Sequence, residues 1–265
     1  MPAVAAADSH HAESGHAGYV YVNDNTAGQN TVAAFARHAD GTLSPVAGSP
    51  FAAGGAGTAG AGLASQGAVQ VSSDGRYVIA VDAGSNQLSV LRIKPDGALR
   101  LVNVVSSGGV QPVSVAEHGR LVYAANAGAG GSSYACFTLN RGGHLTARPG
   151  SSVSLPPNAQ PGDVLFNSTG TNLVGIRVGS SLIDSFRVGE DGRLTAAPGS
   201  PFTAQGLGPF GSEFRPTDPS QLFVSNAHGG AGNGTVSAFR VAEDGCPVLD
   251  RQLAVRRSAD SAVLG

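Results

Sequence analysis

The chain has 265 residues, a net charge of −2, 13 % charged residues and 39 glycines, enough length for one large domain with its own core. Hydrophobic residues at 41 % are too many for a disordered chain. No apolar run approaches the length that spans a bilayer, and no basic field is present to attract nucleic acid.

Residues 1–17 read as a low-complexity polar tail. Ala5-Ala6-Ala7 looks like the end of a small-residue cleavage site, so a plain tail or the remnant of a signal peptide is expected. The location expected is secreted or periplasmic if a leader precedes the chain, and cytoplasmic otherwise. Residues 18–265 read as one domain. Cys136 and Cys246 lie far apart with no metal-binding spacing and read as free thiols.

From residue 18 the chain repeats itself. Phe35-Ala36-Arg37 leads to Asp40-Gly41, and Leu91-Arg92-Ile93 leads to Asp96-Gly97. Phe137-Thr138-Leu139 leads to Gly142-Gly143, Phe186-Arg187-Val188 to Asp191-Gly192, and Phe239-Arg240-Val241 to Asp244-Gly245. The turn glycines are spaced by 56, 46, 49 and 53 residues. Asp-Gly supplies the positive-φ positions that tight hairpin turns require. A second turn series runs through Asp74-Gly75, His118-Gly119, Thr169-Gly170 and Asp218-Pro219. A third is Ala47-Gly48-Ser49, Pro149-Gly150-Ser151 and Pro198-Gly199-Ser200.

One repeat therefore predicts four antiparallel strands, at 69–72, 77–81, 87–93 and 99–105. Four short strands per unit of about 50 residues is a propeller blade. The expected fold is an all-β propeller with five blades, the first lacking an obvious innermost strand and the last running to about residue 255. Gly55-Ala56-Gly57-Thr58-Ala59-Gly60 spells a dinucleotide motif without the strand and helix it needs, so it reads as a connection between blades. No metal or cofactor is expected.

Residues 62–93 and 111–128, continued by Leu182-Ile183-Asp184-Ser185-Phe186, Pro209-Phe210-Gly211 and residues 221–227, resemble the seven-bladed β-propeller lactonases. That family includes 6-phosphogluconolactonases and 3-carboxymuconate cyclases. The resemblance implies a bacterial enzyme forming or hydrolysing the lactone of a small sugar acid or muconate-type acid, without an organic cofactor. It also implies seven blades, so the chain reads as truncated by about two. The two open blade faces are then expected to support self-association.

Family active sites lie on the loops leading into the innermost strands. Here those loops hold Gln66, Gln111, Ser114, Asp163, Phe210 and Glu213, with no histidine among them. Lactone hydrolysis needs a base for water and donors for the developing oxyanion. The expected catalytic residues are Glu213 or Asp163 as base and Arg215 as cation, with Gln66, Gln111, Ser114 and Phe210 binding substrate. The competing expectations are a Glu213–Arg215 surface pair, Asp163 as a turn cap and the glutamines as turn formers. The alternative function is a non-catalytic propeller that binds a protein or glycan through its loop face.

Overall fold

The computed structural model describes residues 16–59 and 66–254, all strand and turn with no helix among them. Residues 1–15, which hold most of the polar tail, and residues 255–265 lie outside the described residues. The strands form five separate antiparallel sheets in sequence order, one per repeat. Blade one holds β1 (His16–Asn23), β2 (Thr31–His38), β3 (Leu43–Pro45) and β4 (Phe51–Ala52). Blade two holds β5 (Val69–Val71), β6 (Tyr77–Asp82), β7 (Gln87–Ile93) and β8 (Leu99–Ser106), matching the four predicted strands within a residue.

Blade three contains β9 (Pro112–His118), β10 (Leu121–Asn126), β11 (Ser133–Leu139), β12 (Leu145–Ala147) and β13 (Val153–Ser154). Blade four contains β14 (Pro161–Phe166), β15 (Asn172–Arg177), β16 (Leu182–Val188), β17 (Leu194–Ala196) and β18 (Phe202–Thr203). Blade five contains β19 (Pro209–Arg215), β20 (Asp218–Asn226), β21 (Thr235–Val241) and β22 (Pro247–Ala254). In register with the other blades, β1 corresponds to β6, so among the described residues blade one has no innermost strand.

One expectation needs refinement. The outermost strand is continuous in blades two and five but split into two short pieces in blades one, three and four. The third turn series is the cause. Gly48, Gly150 and Gly199 have φ of 84°, 79° and 81°, a left-handed conformation that interrupts a strand.

The blades stack through their faces, and both faces of the middle strands are covered. Every residue of β6 and β15 is buried, as their nearly unbroken apolar sequences require. Tyr77, Ile79 and Val81 of blade two pack with Val122, Ala124 and Phe137 of blade three. Tyr123 and Tyr134 of blade three pack with Leu173 and Phe186 of blade four, and Val174 and Ile176 with Leu222 and Phe239 of blade five. Each such side chain contributes about 1.5–3 kcal/mol of burial.

The repeated Asp-Gly turn is also a docking point for the preceding blade. A Cβ on Gly97 would lie 2.2 Å from the Tyr19 ring, and one on Gly143 would lie 2.5 Å from the Tyr77 ring. On Gly192 it would lie 2.7 Å from Leu121. Gly41, in blade one, would meet nothing within 4 Å. Tyr21 Oη donates to the Gly97 carbonyl (3.2 Å), Tyr77 Oη to the Arg141 carbonyl (2.9 Å) and Tyr123 Oη to the Gly192 carbonyl.

Candidate functional site

The loops into the innermost strands gather at one end of the propeller. Their convergence point is Asp163, near the start of β14. Ser212 Oγ (2.6 Å) and Ser212 N (3.0 Å) donate to Asp163 Oδ2, and Ser114 Oγ donates to Oδ1 at 3.2 Å. Val164 N donates to Ser114 Oγ at 3.2 Å. One carboxyl thus ties together the innermost strands of blades three, four and five. Ser114 and Ser212 each lie 49 residues from Asp163.

Gln66 and Gly67 of blade two close over this point. Gln66 N donates to the Gly162 carbonyl (2.9 Å), and Val115 N donates to the Gly67 carbonyl (2.8 Å). Gln66 Nε2 reaches the Ser212 carbonyl at 2.6 Å. Gly67, at φ +76°, has no room for a side chain, since a Cβ there would lie 2.7 Å from Ser114 Oγ. Four blades therefore meet at one polar knot.

Asp163 is 1 % exposed. Loss of water pushes its carboxyl up to about 7, against the downward pull of Ser212 and Ser114. A carboxyl in that range exchanges protons near neutral pH, the property a general base requires.

Behind the knot sits a second buried polar group that the sequence reading did not single out. Arg177 Nε and Nη2 donate to Asp184 Oδ2 and Oδ1 at 2.6 and 2.5 Å. Tyr134 Oη donates to Asp184 Oδ2 at 2.9 Å. Burial and the negative charge of Asp184 raise the Tyr134 phenol well above its ordinary value, and it also feels Asp163 and Arg177. Gly175 makes this possible, because a Cβ there would lie 2.0 Å from Tyr134 Oη.

Other mouth residues serve as backbone turns. Gln111 and Gln160 have φ of 53° and 43°. Their carbonyls accept Ala127 N (2.9 Å) and Val178 N (3.2 Å), as Gly208 does for Ala227 N at 2.9 Å. Gln111 N donates to Asn86 Oδ1 at 2.7 Å. The side-chain amides of Gln111 and Gln160 make no hydrogen bond among the described residues, and the Gln160 side chain lies against Gly179 of the β15–β16 turn.

Residues 10–127 match the profile of the family described as lactonase, 7-bladed β-propeller. The match covers less than half of the chain. The fold continues the likeness through the remaining blades. A proposed 6-phosphogluconolactonase of Bacteroides fragilis aligns over 89 % of this chain and 68 % of its own, with a TM-score of 0.70 at 19 % identity. The Pseudomonas aeruginosa periplasmic gluconolactonase aligns over 90 % of this chain and 67 % of its own, with a TM-score of 0.64 at 18 % identity. At these identities the likeness is one of fold. No curated protein matches the chain.

The structure brings Gln66, Ser114 and Asp163 together and adds Ser212. Glu213 follows Ser212 in β19 but is exposed, so alternation points it away from the knot. Partial burial raises its carboxyl. Arg215 is exposed too, and its Nη1 donates to Gln221 Oε1 at 3.2 Å. The described residues show no Glu213–Arg215 ion pair. Phe210 is half-buried two residues before Ser212. Asp163 caps no turn; its carboxyl bonds across blades.

Proposed function

We propose that this protein hydrolyses, or in reverse forms, the lactone of a small sugar acid at the mouth centred on Asp163. One observation carries this reading. A single carboxyl, held near neutral between Ser114 and Ser212, lies where the mouth loops of a lactonase propeller converge. Ionised Asp163 takes a proton from water as the water oxygen bonds to the lactone carbonyl carbon. The ring C–O bond then breaks, and the proton returns to the departing alkoxide. The side-chain amides of Gln111 and Gln160 donate to the carbonyl oxygen as it gains charge. Substrate must loosen the Gln66–Gly67 cover, since Asp163 is buried beneath it.

The test is proton release from glucono-1,5-lactone, with a muconate-type lactone as the second substrate. Asp163→Asn should abolish turnover with the fold intact, and wild-type kcat/KM should rise with pH through about 7. Full activity in Asp163→Asn would overturn the assignment.

One observation favours a second reading, a non-catalytic propeller that binds a protein or glycan on its loop face. Both oxygens of Asp163 are already occupied by protein donors. Absence of turnover in both wild type and Asp163→Asn, with retained ligand binding at the mouth, selects that reading.

A further inference from the structure

At the opposite end from Asp163 lies a cleft of about 600 Å³ between blades three and four. Three guanidinium groups from three separate segments line it: Arg120 from the β9–β10 turn, Arg148 just after β12, and Arg193 from the β16–β17 turn. Thr138, Thr146 and Ser151 add hydroxyls, and Asp191 is the one carboxylate in the lining. From these charges and this volume we infer a second ligand site, one that takes a small phosphate monoester.

The three arginines differ in how free they are. Arg148 is fixed: Nη1 donates to Thr138 Oγ1 at 3.1 Å and Nη2 to the Asp191 carbonyl. Its Nε is shut from solvent and has no partner among the described residues, and an unmatched buried donor of this kind is costly. Arg120 is exposed and makes no side-chain hydrogen bond or ion pair among the described residues. Arg193 holds Asp191 at 3.4 Å with its side chain 68 % exposed. An ion pair so exposed is worth little, so Arg193 can turn to an incoming anion at small cost.

The site is thus one anchored cation flanked by two available ones. Guanidinium groups present paired donors that match the oxygens of a tetrahedral dianion. The volume exceeds what inorganic phosphate fills and falls in the range of small-molecule sites. The hydroxyls of Thr138, Thr146 and Ser151 suit the neutral, hydroxylated part of such a ligand. Asp191 opposes the anion and tunes its affinity downward.

Calorimetric titration of the full chain with glucose 6-phosphate tests this, with glucose, inorganic phosphate and heparin as companion probes. Glucose 6-phosphate should bind, inorganic phosphate more weakly and glucose not at all. Arg120→Gln and Arg193→Gln should each weaken binding about tenfold, the loss of one charged hydrogen bond. Asp191→Asn should tighten it, because Asn keeps the oxygen that accepts Arg193 N (3.0 Å) but drops the charge. Asp163→Asn should leave it unchanged, which separates this site from the mouth. Equal affinity in wild type, Arg120→Gln and Asp191→Asn would overturn the proposal. So would binding of heparin without binding of the ester, which would mark a polyanion surface instead.

Discussion

Asp163 should make the propeller less stable as the pH rises. Its carboxyl is pushed from 3.8 up to about 7 in the folded chain, while in the unfolded chain it returns to the ordinary aspartate value. Between those values the folded state holds a proton that the unfolded state has lost. Stability is then full below about pH 4 and falls by about 1.4 kcal/mol per pH unit up to about 7. It levels off above that, for a total loss of about 4 kcal/mol from this group.

Asp163→Asn provides the comparison. The Asn oxygen accepts Ser212 N and Oγ, as Asp163 Oδ2 does at 3.0 and 2.6 Å. The Asn amide nitrogen faces Ser114 Oγ, which retains a lone pair after accepting Val164 N. The substitution therefore keeps the two Ser212 contacts, reverses the Ser114 one and removes the titration. Urea midpoints for both chains from pH 4 to 8 give the difference curve, in which other groups cancel. The variant should gain on the wild type steadily across that window, by about 4 kcal/mol at pH 8. A flat difference curve would show that Asp163 is not a buried proton holder and would remove the basis for its role as a base.

Three further outcomes follow from the packing. Gly143→Ala and Gly41→Ala both place a side chain at positive φ, a shared cost of about 1–2 kcal/mol. Only Gly143→Ala also drives a methyl into the Tyr77 ring, adding about 1–3 kcal/mol; equal thermal melts would show that the turn does not dock the preceding blade. Gly67→Ala should displace Ser114 from Asp163 and, by removing a donor that pulls the carboxyl down, move the folded carboxyl further up, seen by NMR titration of that group. Asp184→Ala leaves the Arg177 guanidinium buried without its partner and should cost about 3–5 kcal/mol in denaturant unfolding.

The fold was legible because its grammar is local. Asp40-Gly41, Asp96-Gly97 and their successors announce hairpins through a φ that only glycine takes cheaply, and Tyr77-Val78-Ile79-Ala80-Val81 announces a strand buried on both faces. The split outer strands were signalled by Gly48, Gly150 and Gly199, whose turns fall within the outer edge of a blade. The site was only half legible. Asp163 and Ser114 stand out as polar residues in mouth loops, but their pairing depends on contacts between blades, which spacing within one repeat does not show. One signal was available: Ser114, Asp163 and Ser212 occupy one repeat position at equal intervals of 49 residues. Residues at equivalent positions of adjacent innermost strands meet. Glu213 failed for the complementary reason, since alternation turns successive residues of β19 to opposite faces. Arg177 and Asp184 read as ordinary strand residues, and only the missing side chain at Gly175 hints at the Tyr134 hydroxyl that fills its place.

The cost of burying Asp163 also bears on why this residue is an acid at all. A neutral Asn would accept from Ser212 as Asp163 does and could donate to Ser114 Oγ, and the innermost strands would be held together without a desolvated charge. Keeping the carboxyl costs about 4 kcal/mol above neutral pH, a large fraction of the net stability of a typical domain. Stability given up at a single position in this way is characteristic of a site whose chemistry needs the group. Asp184 differs in kind, because its partner Arg177 returns the cost through two hydrogen bonds and opposite charge. Asp163 has no such cation beside it among the described residues, and only the hydroxyls of Ser114 and Ser212 and one backbone N–H offset its burial.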